Sequence, residues 1–393
     1  MKKIKNALKL ALSGTDFILL ALCIAASAFG AVAVFSATRC DIAEGDTLSR
    51  DAFTMLIAVG AGLALAIIIS FIDYNIIQKL VPAVAIVSLG LMVATLIWGV
   101  GPAERQDAKT WLAIGNSFYF QPSELLKIGF IITFGIHLDL VRDKLREIKT
   151  LIFLCIHGAI PVGLVVISGD MGSALVFMVV FVAMMFCAGV QLRYFVIAFA
   201  AAVASVPVVW TYVFSDTQKD RFLALFYPDL YPDILYQQDR GMQAIGSGGL
   251  FGQGLFRGAM TQAGTVPENE NDMIFTGIGE ELGLIGCVLS ITLLLLISFR
   301  IIKTGMHARE TSTGLMCFGM SAIILSQAII NIGMCLKILP VIGITLPFFS
   351  AGGSSNLCIY IGIGLILSIY RYDKENKNED FNFNYLNYSI SNQ

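Results

Sequence analysis

Apolar residues in this chain gather into runs as long as the hydrocarbon core of a bilayer is thick, and most charge falls between them. A helix rises 1.5 Å per residue, so about 20 apolar residues cross roughly 30 Å of hydrocarbon. Ten such runs occur, at 17–37, 52–71, 79–100, 122–140, 150–167, 172–189, 195–214, 273–297, 313–335 and 356–370. The pattern predicts an all-α membrane protein, a polytopic bundle of ten transmembrane helices forming one domain over 1–372. Most connections are short, as they are between neighbouring helices of one bundle. The long one, 215–272 between spans 7 and 8, is expected to be a large extracytoplasmic loop. Leu250, Phe251, Leu255 and Phe256 among its glycines favour a packed cap over a solvated coil. The polar, Asn-rich segment 373–393 is expected to be a disordered cytoplasmic tail.

Composition and charge agree with that pattern. Hydrophobic residues make up 56% of the 393 and charged residues 14%, which excludes an ordinary soluble enzyme. Lys and Arg near span ends stay in the cytoplasm. With both termini inside, sixteen fall on the cytoplasmic side and nine outside. The first run has a basic flank but is longer than the apolar stretch of a signal peptide, so it reads as a retained anchor in the cytoplasmic membrane. Eight cysteines show no C-x-x-C spacing; most lie within or at the edge of spans and are expected to be small buried hydrophobes, with only Cys40 clearly outside. The net charge of −2 indicates no particular partner, and no nucleic acid is expected.

Under this topology four polar features share the outer face. In "WLAIGNSFYFQPSELLKIGF" (111–130), Pro122 suits a first helical position and Glu124 the first turn. Lys127 lies one turn deeper, where an ammonium must snorkel, face water or pair with an acid, and Glu124 at i−3 is the local partner. In "SGDMGSAL" (168–175), Asp170 either caps the next helix or stands at the rim of a cavity. "PENENDMIFTGIGEELGLIG" (267–286) opens a span with acids. Asp272 stands at its mouth, where water and a substrate hydroxyl can reach it, whereas Glu280 and Glu281 must face the bundle interior and hydrogen-bond there. In "LPVIGITLPFFSAGGSSN" (339–356), prolines and glycines break an apolar stretch, and Ser354, Ser355 and Asn356 begin the next helix, a natural anion site.

At these residues the sequence resembles the SEDS (RodA/FtsW/SpoVE) family of cell-wall proteins. The motifs carrying the resemblance are "W..IG...FQPSE..K" from Trp111 to Lys127, "GDMGSAL" at 169–175, "AIGSGGLFGQGL" at 244–255, "VPE...D.IF...GEELG" at 266–283 and "P.IGITLPFFSAGGSS" at 340–355. The resemblance implies a peptidoglycan glycosyltransferase that polymerises lipid II on the outer face of the membrane, with a class B penicillin-binding protein as partner. It implies Asp272 as the essential acid. Expected substrate contacts are Trp111, Gln121, Glu124, Lys127, Asp170, Arg240, Arg257, Glu268, Glu280, Glu281, Ser354, Ser355 and Asn356. Asp272 is also the expected ligand of any divalent cation, Mg²⁺ or Mn²⁺. Where the family reads His-Thr before this Asp, the chain has Glu270 and Asn271, so added negative charge is expected to raise the Asp272 pKa or help hold a cation.

Two other function classes fit a polar bundle. A lipid II flippase would use Lys127, Glu280 and Glu281 as a path across the bilayer, although no internal repeat is visible. A scaffold would only recruit a partner synthase.

Overall fold

The structure is a computed structural model describing residues 14–42, 47–101, 108–115, 118–212 and 214–391, with side chains described as far as Lys374. Helices occupy all ten apolar runs. In chain order the first three are α1 (Phe17–Ala37), α2 (Arg50–Ser70) and α3 (Tyr74–Trp98). A short hairpin follows, β1 (Leu112–Ile114) and β2 (Phe118–Phe120), antiparallel with Leu112 opposite Phe120. Then come α4 (Pro122–Leu140), α5 (Ile148–Ile167), α6 (Met171–Cys187) and α7 (Leu192–Tyr212). The long connection contains α8 (Asp216–Phe226), α9 (Pro232–Gly248) and α10 (Ala259–Gln262). The chain closes with α11 (Ile274–Met306), α12 (Thr311–Cys335) and α13 (Gly353–Ser391).

Among the described residues, eight of these helices are long and apolar enough to cross a membrane. Helix α6 is apolar but shorter, and α4 carries Glu124, Lys127 and Asp139. Two features depart from the sequence reading. The hairpin interrupts an otherwise helical fold, because the apolar residues around Gly115, at φ +67°, turn back on themselves. Helical backbone also continues through most of 373–393, the segment expected to be disordered.

Helices α12 and α13 form the centre: 72% of the apolar window of α12 and 78% of that of α13 are buried. Helix α2 lies along α13 so closely that a Cβ on Gly364 would stand 2.8 Å from Ala66 Cα. Such contacts bind membrane helices through dispersion, since lipid offers no hydrophobic drive. Helix α7 buries none of its side chains and lies at the bundle's edge.

The loop 215–272 packs on the bundle through α9, whereas Leu250, Phe251 and Leu255, the apolar residues that suggest a packed cap, are themselves exposed. Gln238 on α9 donates to the carbonyls of Met334 and Leu339, both at 2.8 Å. Gly241 lets α9 settle against Met273 and Thr276, whose side-chain atoms would meet a Cβ there at 2.7 and 2.8 Å.

Helix α11 is broken at Gly283, which adopts φ 64° and ψ −159°, a conformation open essentially to glycine alone. A break in hydrocarbon survives only if its freed backbone groups find protein partners. The cap supplies them. Gln253 and Gly254 donate to the carbonyls of Glu280 and Glu281, both at 2.9 Å, while Leu284 and Ile285 donate to Gly249 and Leu250. A Cβ on Gly283 would also lie 2.4 Å from Gly252 N. Gly283→Ala is therefore expected to destabilise the protein by at least the roughly 1–3 kcal/mol of such backbone strain, read as a lower thermal midpoint in detergent.

Candidate functional site

The site is assembled where three broken segments meet at one end of the bundle. Asp272 lies in the turn that enters α11, and its main chain is held from two sides. Asn331 on α12 donates to the Asp272 carbonyl at 2.7 Å and to the Ile344 carbonyl at 2.8 Å. The preceding residues are tied to the segment between α12 and α13: Ala351 N–H donates to the Glu270 carbonyl at 2.8 Å and Ser350 Oγ to the Asn271 carbonyl at 2.6 Å.

From there the network continues. Ser354 Oγ donates to the Tyr119 carbonyl and accepts the Gln121 N–H, both at 3.1 Å. Gln121 Nε2 donates to Asp170 Oδ2 at 2.9 Å, and Ser123 Oγ reaches the same oxygen at 3.2 Å. Asp170 also caps α6 by accepting Ser173 N–H at 2.9 Å. One connected chain thus links Asp272, the 346–354 turn, Gln121 and Asp170. Trp111 stands beside it on the hairpin, partly exposed and edge-on to Tyr119 at 6.1 Å.

Other expected contacts are engaged by the protein itself. Glu280 accepts the Met260 and Thr261 N–H groups, both at 2.8 Å, and the Thr261 hydroxyl at 2.6 Å. Glu281 accepts Ser36 Oγ at 2.6 Å, Gln262 Nε2 at 2.9 Å and Gly258 N–H at 3.3 Å. The two acids cap α10 and pin it against α1 and α11, so their expected substrate role gives way to an anchoring one. Ser355 bonds Thr345, and Asn356 Nδ2 holds the Ser350 and Gly352 carbonyls, so these side chains shape the turn instead of forming an open anion cradle. Lys127 and Glu124 pair at 2.8 Å, only 1% and 6% exposed along their side chains. Arg240 stacks over Tyr236 at 5.2 Å, next to the Gly241 contact with Met273, whereas Arg257 is exposed on the cap. Glu268 is exposed, takes φ +52° and accepts Asn271 Nδ2 at 2.9 Å.

The FtsW/RodA/SpoVE family profile, described as a cell cycle protein, matches residues 16–375. The chain belongs to this family. The relative printed as "Probable peptidoglycan glycosyltransferase FtsW" from Trichlorobacter lovleyi is 31% identical over 360 residues, 90% of this chain and 92% of the relative. The peptidoglycan glycosyltransferase MrdB of Escherichia coli K12 is 30% identical over 319 residues, covering 80% and 84%. A solved structure described as structural coordination of polymerization and crosslinking by a peptidoglycan synthase complex superposes with a TM-score of 0.77 at 25% identity, covering 91% of this chain and 98% of that one. The rod shape determining protein RodA of Thermus thermophilus shares the fold, with a TM-score of 0.67 at 24% identity, covering 91% and 97%.

In this FtsW/RodA/SpoVE member, Asp272 is only 9% exposed and its Oδ1 has no hydrogen-bond partner among the described residues. Burial pushes its carboxyl up to about 7, and the charges of Glu268 and Glu270 push the same way, against its own backbone hydrogen bond and Arg221. The replacement of His-Thr by Glu270-Asn271 thus acts in the direction the sequence implied. Among the described residues no group of three or more His, Cys, Asp or Glu is placed to hold a metal ion. A hard cation bound mostly through substrate oxygens needs fewer protein ligands, and the unpaired Asp272 Oδ1 is a donor of the right kind.

Sequence reasoning missed Asn331, Ser350 and the caps of α10. Asn331 is, with Gln327, one of two amides in an apolar span, and such residues are retained where they bond across helices; that was the available signal.

Two outcomes are expected. If Asp272 is the group that takes the proton, it does so only when ionised, so turnover should rise with pH through about 7, and Glu268→Gln, which removes a neighbouring negative charge, should move the rise to lower pH. Lys127→Met alone leaves Glu124 buried and unpaired, which costs roughly 3–5 kcal/mol, whereas adding Glu124→Gln should restore much of the thermal midpoint.

Proposed function

We propose that this chain, a peptidoglycan glycosyltransferase, polymerises lipid II on the outer face of the cytoplasmic membrane with Asp272 as general base. The observation that carries the reading is one buried carboxyl, poised near neutral pH, on a turn fixed by Asn331, Ser350 and Ala351. A base works best when its pKa lies near the working pH.

In the proposed step, the acceptor's 4-hydroxyl oxygen attacks the anomeric carbon of the donor sugar and its proton passes to Asp272. The new C–O bond forms as the bond to the lipid diphosphate breaks. Fixing the turn sets the carboxylate's position before substrate arrives, so little reorganisation is needed at the moment of reaction. Trp111, Gln121, Asp170 and Arg240 are the side chains we assign to seating the sugars and diphosphate. Asp272 would hold Mg²⁺ or Mn²⁺ if one is required, and the ion would supply charge neutralisation to the departing diphosphate.

The same reading takes all ten apolar helices as spans, α4 and α6 added to the eight, places both termini in the cytoplasm, puts 215–272 outside, and takes a class B penicillin-binding protein as partner. The basic residues at the ends of the spans support this orientation. A flippase is less well supported because Glu280 and Glu281 are held by the cap and offer no open path across the bundle.

The decisive variant is Asp272→Asn, which keeps size and fold but removes the base. Purified in detergent with lipid II, it should polymerise roughly 10²–10⁴-fold more slowly than wild type. Glycan chains made at the wild-type rate would remove Asp272 from this role, and movement of labelled lipid II between leaflets without polymer would favour the flippase.

A further inference from the structure

A cavity of about 380 Å³ lies between α3, α4 and α5, and its lining includes no residue of the chain from Asp272 to Asp170. Along α4 it extends from Leu126 to His137, eleven residues or about 16 Å at the helical rise. It is therefore a slot running lengthwise through the membrane-spanning part. Its lip on α5, formed by Phe153, Ile156 and Ile160, is exposed, so the slot opens sideways from the bundle.

The few polar groups on its wall are mostly engaged with one another. Ser88 Oγ donates to its own helix at 2.7 Å. Thr133 Oγ1 meets His157 Nε2 at 3.2 Å, and His157 Nδ1 meets His137 Nδ1 at 2.9 Å. With those atoms paired, the wall suits hydrocarbon better than a water-soluble ligand.

Charge narrows the occupant. The segment 142–149, the connection from α4 with the first turn of α5, lies at the lower end of the slot and exposes four bases, Arg142, Lys144, Arg146 and Lys149, against the acids Asp143 and Glu147, with Asp139 of α4 3.9 Å from Arg142. Phe153 is four residues beyond Lys149, about 6 Å along α5. Basic clusters next to membrane spans attract anionic lipid headgroups.

We propose that the slot holds one acyl chain of an anionic bilayer phospholipid whose headgroup sits on the basic segment 142–149. Under the topology proposed above this lipid belongs to the cytoplasmic leaflet. The chain would brace α4 from the side of Leu126, Phe130 and His137. Ile131 faces α12, where it would meet a Cβ on Gly319 at 2.8 Å. Because α4 begins just after Gln121 and carries Glu124 and Lys127, this lipid would steady the outer-end site without touching it.

The full-length protein, reconstituted in phosphatidylethanolamine vesicles containing phosphatidylglycerol with a photoreactive group midway along one chain, tests the assignment. After irradiation, peptide mass spectrometry should find adducts at 126–137 and 153–160 several-fold denser than on α7. Ala85→Phe, which fills the slot, should lower them to the α7 level. So should the combined Lys144→Gln, Arg146→Gln and Lys149→Gln change, which alters only exposed positions and serves if the first variant fails to fold. Labelling no denser than on α7, or indifferent to the charge-removing variant, overturns the proposal. Displacement by equimolar polyprenyl phosphate also overturns it, by giving the slot to an isoprenoid.

Discussion

In hydrocarbon no water is at hand to pair with a free N–H or carbonyl, so every interruption of a spanning helix must be closed by protein. This chain interrupts its helices repeatedly at one end of the bundle, and the closures are what build the site. The loop 249–254 hydrogen-bonds the opened backbone at 280–285. Asn331 closes two carbonyls belonging to different segments, those of Asp272 and Ile344. Ser350, Ser354 and Gln121 carry the pairing on to Asp170. Stability and function are therefore coupled here, since the bonds that let the backbone leave the helix also determine where Asp272 stands.

The electrostatics follow from the same arrangement. A carboxylate on a solvated loop would ionise near its ordinary value. Asp272 is drawn into the bundle and set near Glu268 and Glu270, so its ionised form is disfavoured and its pKa moves into the neutral range. Glu280 and Glu281 have a different surrounding. Backbone N–H groups and hydroxyls converge on them, so their negative charge fastens the cap. Acids a few residues apart thus meet opposite surroundings: Asp272 Oδ1 has no hydrogen-bond partner among the described residues, while Glu280 and Glu281 fasten the cap.

Much of the fold was legible in the sequence because apolar length is nearly the whole signal for a membrane helix. The runs at 17–37 and 122–140 coincide with α1 and α4. Helix α11 extends well past its apolar run because Arg300 and Lys303 lie at its basic end, outside a hydropathy argument but still helical. The Lys127–Glu124 pair was legible from spacing alone. The roles of Glu280 and Glu281 were not, since their partners Ser36, Gly258 and Thr261 are remote in sequence. Ser354 to Asn356 looked like an open helix start, yet Thr345, Tyr119 and Gln121 had already claimed those groups, a tertiary fact that local pattern cannot contain.

The proposed chemistry turns on the protonation of one side chain. Difference infrared spectroscopy of the purified protein, wild type minus Asp272→Asn, isolates the carboxyl band of Asp272 as pH is varied. The structure predicts that the protonated band disappears with a midpoint close to pH 7. A midpoint in the ordinary aspartate range near 4 would show that burial and the neighbouring glutamates do not hold this group as described, and the argument for a poised base would fail.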